Sequence, residues 1–389
     1  MHHTSSSRRP TVIWTLAVAF IASAFSIAWP GVPAGWAAFS LQQAVDEASP
    51  GDTVWVEPGD YLRTLLVNKA ITIRPSGPAG SVRLASAEAS LATLEGIVFD
   101  GALGDWEGVL ALAGPSATFA DCRFTGKMQG LQVQTGSGTV LLRDCAFDGL
   151  FQAITLEPGP GSLLLERVEA SGISIGLALH DTLICPPGGI RTPAERCAAG
   201  DCGEVRVIDS RFTGGEVQID LPGVIRFEAR GSVFEVAKLA LRARGARIEL
   251  EDCVISGVTQ SGTGLILHSV SGYLRRCEVR SWNTAIEVGD GDCSYYSDLV
   301  VGGSLDVTND IDNTRVCLRL LQQEPIQAEA NFWGSVSCAG ILAAIQGQTV
   351  TTITDVDHGL LYFCSTAVER STWGRVKTRY PAPDGRIAR

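Results

Sequence analysis

An eight-residue pattern returns along most of this chain: LEGIVFDG from position 94, FADCRFTG from 119, LRDCAFDG from 142, LERVEASG from 165, VIDSRFTG from 207, ARGSVFEV from 229, LEDCVISG from 250 and LRRCEVRS from 274. Apart from one long step between the fourth and fifth, the copies start 21 to 25 residues apart. The fourth position of the pattern reads Ile97, Cys122, Cys145, Val168, Ser210, Ser232, Cys253, Cys277. The sixth reads Phe99, Phe124, Phe147, Ala170, Phe212, Phe234, Ile255, Val279. Both columns are small or apolar and lie two residues apart, the period of one face of a β-strand. They are therefore expected on the inner face of one repeated strand, with phenylalanines stacked from coil to coil. A helical repeat of similar length would show apolar residues at i, i+3 and i+4, a pattern absent here.

A second apolar segment precedes these copies: GLQVQ from 130, AITLE from 153, GLALH from 176, EVQID from 216, LALR from 239, GLILH from 264 and AIEV from 285. Each coil then has at least two strands with a turn between, and room for a third. Parallel strands stacked along an axis make an all-β solenoid, a parallel β-helix. With 389 residues the chain is long for one compact core but ordinary for a protein that grows along an axis. Its 43 glycines and 17 prolines, among 45% hydrophobic residues, suit many short strands and tight turns.

Three segments fall outside the repeat. Arg8 and Arg9 precede an apolar run from Thr11 to Trp29, and Gly35-Trp36-Ala37 offers small residues at a cleavage site. Residues 1–37 are thus expected to be a secretory signal peptide cut after Ala37; uncut, the run is nearly long enough to span a bilayer. Residues 181–204 form a Cys-rich loop insertion, and residues 365–389 a basic, flexible tail. The solenoid occupies residues 38–364, opening with a capping helix over 38–50. There Ser40 and Gln43 have capping-box spacing, and Leu41, Ala44, Val45 and Ala48 make one apolar face. Such a cap covers the unpaired strand groups at the open end of the solenoid.

The stretch SPGDTVWVEPGDYLRTLLVNKAITIRPSG, residues 49–77, contains three short apolar runs closed by Gly, Pro or Asn, the sides of a first coil. Together with FSLQQAVDEASPGD before it, this stretch resembles the N-terminal cap and first coil of secreted right-handed β-helix proteins of the pectate-lyase-like superfamily. PIQAEANFWGS, residues 325–335, likewise resembles the Asn-x-Trp-Gly element near the C-terminal end of many such chains. The resemblance implies a single-stranded right-handed parallel β-helix. It is poor for activity, because the superfamily hosts lyases, hydrolases, esterases, epimerases and non-catalytic proteins.

Eleven cysteines in an exported chain point to disulfides, with at least one thiol left over in a monomer. Cys122 and Cys145 share one inner register, as do Cys253 and Cys277, close enough to be bridged or to remain buried thiols. In the insertion, Cys185, Cys197 and Cys202 are expected to staple a surface loop; a zinc site with His180 is the disfavoured alternative. Cys293, Cys317, Cys338 and Cys364 are expected to staple the C-terminal coils. The net charge of −11, more negative after signal removal, argues against nucleic acid and anionic membranes as partners.

The resemblance places the working surface on the strand before the repeated pattern. Alternation gives a first outward column of Gln132, Thr155, Ala178, Gln218, Ala240, Ile266 and Glu287. A second column gives Gln134, Glu157, His180, Asp220, Arg242, His268 and then Gly289, five of them consecutive ionisable groups. As a catalytic ladder, Glu157 and Asp220 would be an acid pair, His180 or His268 a base, and Arg242 a clamp for a uronate carboxylate. Gln132, Gln134, Gln218 and Glu287 would bind substrate, with Trp106 and Trp282 as stacking platforms. The bland alternative is a solvated rim of offset ion pairs and tryptophans that pack turns. No metal or other cofactor is expected; calcium remains admissible, but the strip lacks an evident aspartate cluster for it.

Two functions follow. One is an exported, monomeric β-helix protein that binds, and as a lyase, hydrolase or epimerase cleaves or modifies, an extracellular polysaccharide. The other is a non-catalytic surface or envelope protein binding glycan or protein. A phage-like tail spike fits less well, since terminal caps suit a monomer and spikes trimerise.

Overall fold

The computed structural model describes residues 35 to 364, apart from short internal stretches of which 180–202 is the longest. The chain winds through three parallel sheets, here A, B and C, of eleven, eleven and twelve strands. One coil runs through Thr118–Ala120 in sheet A, Arg123–Thr125 in sheet B and Gln129–Gln134 in sheet C. It then re-enters sheet A at Thr139–Arg143, one rung further on. The protein is an all-β parallel solenoid with one N-terminal helix, as the repeat implied.

The eight-residue pattern is not one straight strand. Its third residue sits in the left-handed region in every copy: Gly96, Asp121, Asp144, Arg167, Asp209, Gly231, Asp252 and Arg276, with φ between 49° and 67°. Glycine adopts this conformation freely and aspartate tolerates it better than most residues. The chain therefore turns a corner there, from sheet A into sheet B. The fourth-position column lines the inside of that corner, and the sixth lies in sheet B. Both columns are buried, as alternation required, but on different sides of a bend.

At the corner the fourth side chain serves backbone groups that the bend leaves over. Ser210 Oγ accepts from the Val168 N–H at 3.0 Å and donates to the Ile208 carbonyl at 2.8 Å. The column continues to Asn309 and Asn331, the latter from the Asn-x-Trp-Gly element. Asn309 Nδ2 donates to the Leu274 carbonyl at 3.0 Å and to Asn331 Oδ1 at 2.8 Å. Trp333 is buried beside it. Cys122, Cys145, Cys253 and Cys277 occupy the same corner as free thiols, and the buried Cys317 is free as well. Burial and the neighbouring Cys145 thiol push the Cys122 thiol upward. Cys185, Cys197, Cys202, Cys293 and Cys338 lie outside the described residues, and the side chain of Cys364 is likewise undescribed.

The helix runs Gly35–Glu47, starting earlier and ending sooner than residues 38–50. Ser40 is consequently inside the helix and not its cap. Leu41 and Val45 are buried and Ala48 is partly buried, while Ala44 faces solvent. Gln42 mimics a strand: its Oε1 accepts from the Leu66 N–H at 2.9 Å and its Nε2 donates to the Leu66 carbonyl at 3.0 Å. Lys69 Nζ reaches the Val45 and Ala48 carbonyls at 3.3 and 3.1 Å, closing the C-terminal end of the helix. The expected signal peptide lies almost wholly outside the described residues, as does the tail from 365. Among the described residues no helix is long and apolar enough to cross a membrane.

Sheet C strands begin with a kink, shared by neighbouring rungs, that puts two successive residues inside. Gly130 and Leu131, Ala153 and Ile154, Ala240 and Leu241, and Ala285 and Ile286 are such pairs. A Cβ on Gly130 would stand 2.8 Å from the Ala153 carbonyl oxygen, and the first residue of each of these pairs is small, Gln218 before Ile219 being the exception. Aligned on these pairs, Gln132 matches Thr155, Ala178, Asp220, Arg242, Ile266 and Glu287. The outward columns expected from the sequence are thus corrected: Asp220 and Arg242 move to the first. Gln218 and Ala240, placed outward by alternation, stand at this kink and are fully buried.

Inside sheet B, Phe99, Phe124 and Phe147 stack face to face, with centroids 4.7 and 4.5 Å apart. Replacing Phe124 with Ala removes the middle ring and should cost about 3 to 5 kcal/mol in chemical denaturation. Wild-type-like stability would contradict this packing.

Candidate functional site on the outer faces of sheets C and A

The expected catalytic ladder does not form one column. Glu157 stands beside Gln134 in the second outward column, and His268 lies in that column beside Arg244. Asp220 and Arg242 are neighbours in the first column. Glu157 and Asp220 are two rungs and two residues apart, about 11 to 12 Å between Cα atoms. His180 and Trp106 lie outside the described residues. Trp282 is no platform: it is buried, and its Nε1 donates to the Ile255 carbonyl at 3.2 Å. Gln218 is likewise internal, its amide donating to the Gly214 carbonyl.

What remains of the ladder is engaged. Arg242 Nε meets Asp220 Oδ1 at 2.9 Å, and its Nη2 meets the other oxygen, a two-pronged pair. The Asp220 hydrogen bond raises the Arg242 pKa above the ordinary guanidinium value, against the effect of burial. Glu287 pairs with Arg319 at 3.1 Å. Gln132 Nε2 donates to Glu157 Oε1.

One part of the expected surface does converge. The strands Gln129–Gln134 and Gln152–Glu157 bring Gln129 beside Gln152, Gln132 beside Thr155 and Gln134 beside Glu157. Five of these side chains form a two-rung patch of amides and one carboxylate, while Thr155 is buried among them and accepts a hydrogen bond from Gln129 Nε2. Along its edge, at the B-to-C corner, Met128 and Phe151 immediately precede the paired Gln129 and Gln152 on successive rungs. They expose 44% and 51% of their surface. A half-exposed aromatic ring beside amide donors and acceptors is an inventory suited to a sugar.

The densest charge lies elsewhere, on sheet A. Glu228 and Glu249 are neighbours on successive rungs, nearly buried, and covered by arginines. Glu228 pairs with Arg206 at 3.0 Å and Arg230 at 3.4 Å. Glu249 pairs with Arg226 at 3.0 Å and Arg247 at 2.7 Å. Arg226 also reaches Glu204 at 3.4 Å, and Arg230 reaches Glu251 at 3.1 Å. The signal was in the sequence: RFEAR from 226 and RIELE from 247 alternate charged and apolar residues, but attention to one strand per coil passed over them. Among the described residues no group of three or more His, Cys, Asp or Glu side chains is placed to hold a metal ion.

Comparison with protein-family models, curated proteins and solved structures returned no match.

Burial pushes the Glu249 carboxyl upward, but hydrogen bonds from Arg226 and Arg247 outweigh it and hold the group below the ordinary glutamate value. A lowered folded-state pKa means stability that is full above the ordinary value and lost as pH falls through the lower one. Wild type should therefore melt above Glu249→Gln at neutral pH, with the gap closing below about pH 4.5. A gap unchanged down to pH 3 would contradict the assignment.

Proposed function

We propose that this chain is an exported glycan-binding β-helix of the right-handed, pectate-lyase-like kind, and that it holds a neutral polysaccharide without cleaving it. The observation that carries this is the two-rung patch of Gln129, Gln132, Gln134, Gln152 and Glu157, bordered by exposed Phe151. Amides donate and accept at once, matching sugar hydroxyls, while the ring offers a face for stacking. The absence of a shared column for Glu157 and Asp220, and the Asp220–Arg242 pair, favour binding over catalysis. A carboxylate whose two oxygens both face a guanidinium is poorly placed to reach a substrate. The parallel face also suits an extended ligand, since rungs about 4.8 Å apart repeat along it.

Affinity gels carrying neutral and acidic polysaccharides, read together with reducing ends and unsaturated-product absorbance, test this. Retention on a neutral glycan without products is expected, weakened about three- to tenfold by Phe151→Ala, in line with the worth of an aromatic contact. Products that vanish with Asp220→Asn or His268→Ala would make the chain an enzyme instead. No retention on any glycan would turn the search to protein partners.

A further inference from the structure

The arginines over Glu228 and Glu249 do more than neutralise them. The side chains of Arg206, Arg226, Arg230 and Arg247 are 41% to 52% exposed, whereas those of Glu228 and Glu249 are 8% and 6% exposed. Sheet A therefore turns these arginines further to solvent than the acids they pair with, Glu204 and Glu251 included at 29% and 19%, on a chain whose net charge is −11. Each guanidinium has about five N–H donors. The ion pairs engage one nitrogen each of Arg206 and Arg247, and two each of Arg226 and Arg230. Donors are left over on a flat, two-dimensional array, with Arg226 and Arg247 on successive rungs. Arg275 stands one rung beyond Glu251, its guanidinium 4.3 Å over the Tyr273 ring.

Geometry decides what such an array would take. In Arg206, Arg230 and Arg247 the Nε atom already faces a carboxylate of the protein. One edge of each fork is thus occupied, while the ion pairs leave the Nη1/Nη2 edge of Arg206 and Arg247 free. N–H groups of several arginines remain, spread over neighbouring rungs, and a tetrahedral phosphate accepts from several directions at once. We propose that this face of sheet A binds a linear phosphate polymer without bases, lying across the rungs, at a site separate from the amide patch on sheet C.

Inorganic polyphosphate is the probe, titrated into the full chain by calorimetry at 50 and 300 mM salt. Binding at the lower salt that weakens at least tenfold at the higher is expected, because the guanidinium–phosphate contacts are between exposed charges that salt screens. Arg230→Gln with Arg275→Gln should lower affinity at least tenfold. Arg275→Gln alone, which touches neither Glu228 nor Glu249, should give a smaller loss with unchanged melting, so that unfolding cannot mimic the result. Arg123→Gln with Arg211→Gln, on sheet B, should leave binding unchanged. No binding at 50 mM salt, equal loss in the sheet B variant, or tighter binding of polygalacturonate or single-stranded DNA would each overturn the proposal. None of these outcomes bears on neutral-glycan retention, which tests sheet C.

Discussion

One residue per coil, held in the left-handed region at the A-to-B corner, sets the geometry on which the rest depends. For a residue other than glycine that conformation costs about 1 to 2 kcal/mol. Pairing on both sides of the bend holds it in place, since strands of sheets A and B are hydrogen-bonded in register above and below. Side chains share the task. Arg167 meets Asp144 at 2.6 Å and Arg276 meets Asp252 at 2.7 Å, so corner residues of successive coils grip each other. Inside the corner, serines, thiols and asparagines take up the backbone groups that a sheet would have paired. The bend thus repeats because each copy is braced by the next.

A solenoid built this way has a core that only inward residues must satisfy. Phe124 and Phe147 touch their equivalents one rung away, and little of the outer surface takes part. Stability is then close to a sum over coils and their interfaces, and outward columns are released for other uses. The ends are the exception. Gln42 and Lys69 tie the helix to the first coil by hydrogen bonds that no repeated residue supplies. At the far end, Asn331 and Trp333 fill the corner column and the core beside it.

Period-two alternation made the solenoid legible, because burial of Phe99, Phe124, Phe147, Phe212 and Phe234 follows from it directly. It could not show that the chain bends between the two inner columns, since a residue at the bend changes direction without changing parity. The aspartates and glycines at the third position were the available sign. The site was read less well for a related reason. A slip of two residues keeps every side chain on the same face, so placing Asp220 beside Glu157 left no trace in the pattern of burial. The small residue before Leu or Ile fixes the register, and Gln218, standing where glycine or alanine is usual, concealed it. For His180 and Trp106 the described residues offer no comparison.

The two outer faces show how the same side chains can be set for different ends. On sheet C, Asp220 and Arg242 form a single pair across one rung, and amides dominate the neighbouring coils. On sheet A, each nearly buried carboxylate touches two guanidiniums, and Arg226 and Arg230 each bridge two acids. A lone surface pair contributes little, because water screens it and two long chains must be ordered. A network over buried carboxylates differs, since the acids have already lost water and depend on the arginines for hydrogen bonds. Removing a guanidinium there should disturb the rungs on both sides, whereas removing Arg242 should be felt mainly by Asp220. Fixed charge of this kind suits recognition. General acid catalysis needs a carboxyl whose proton is held near neutral pH, and Glu249 is driven the other way.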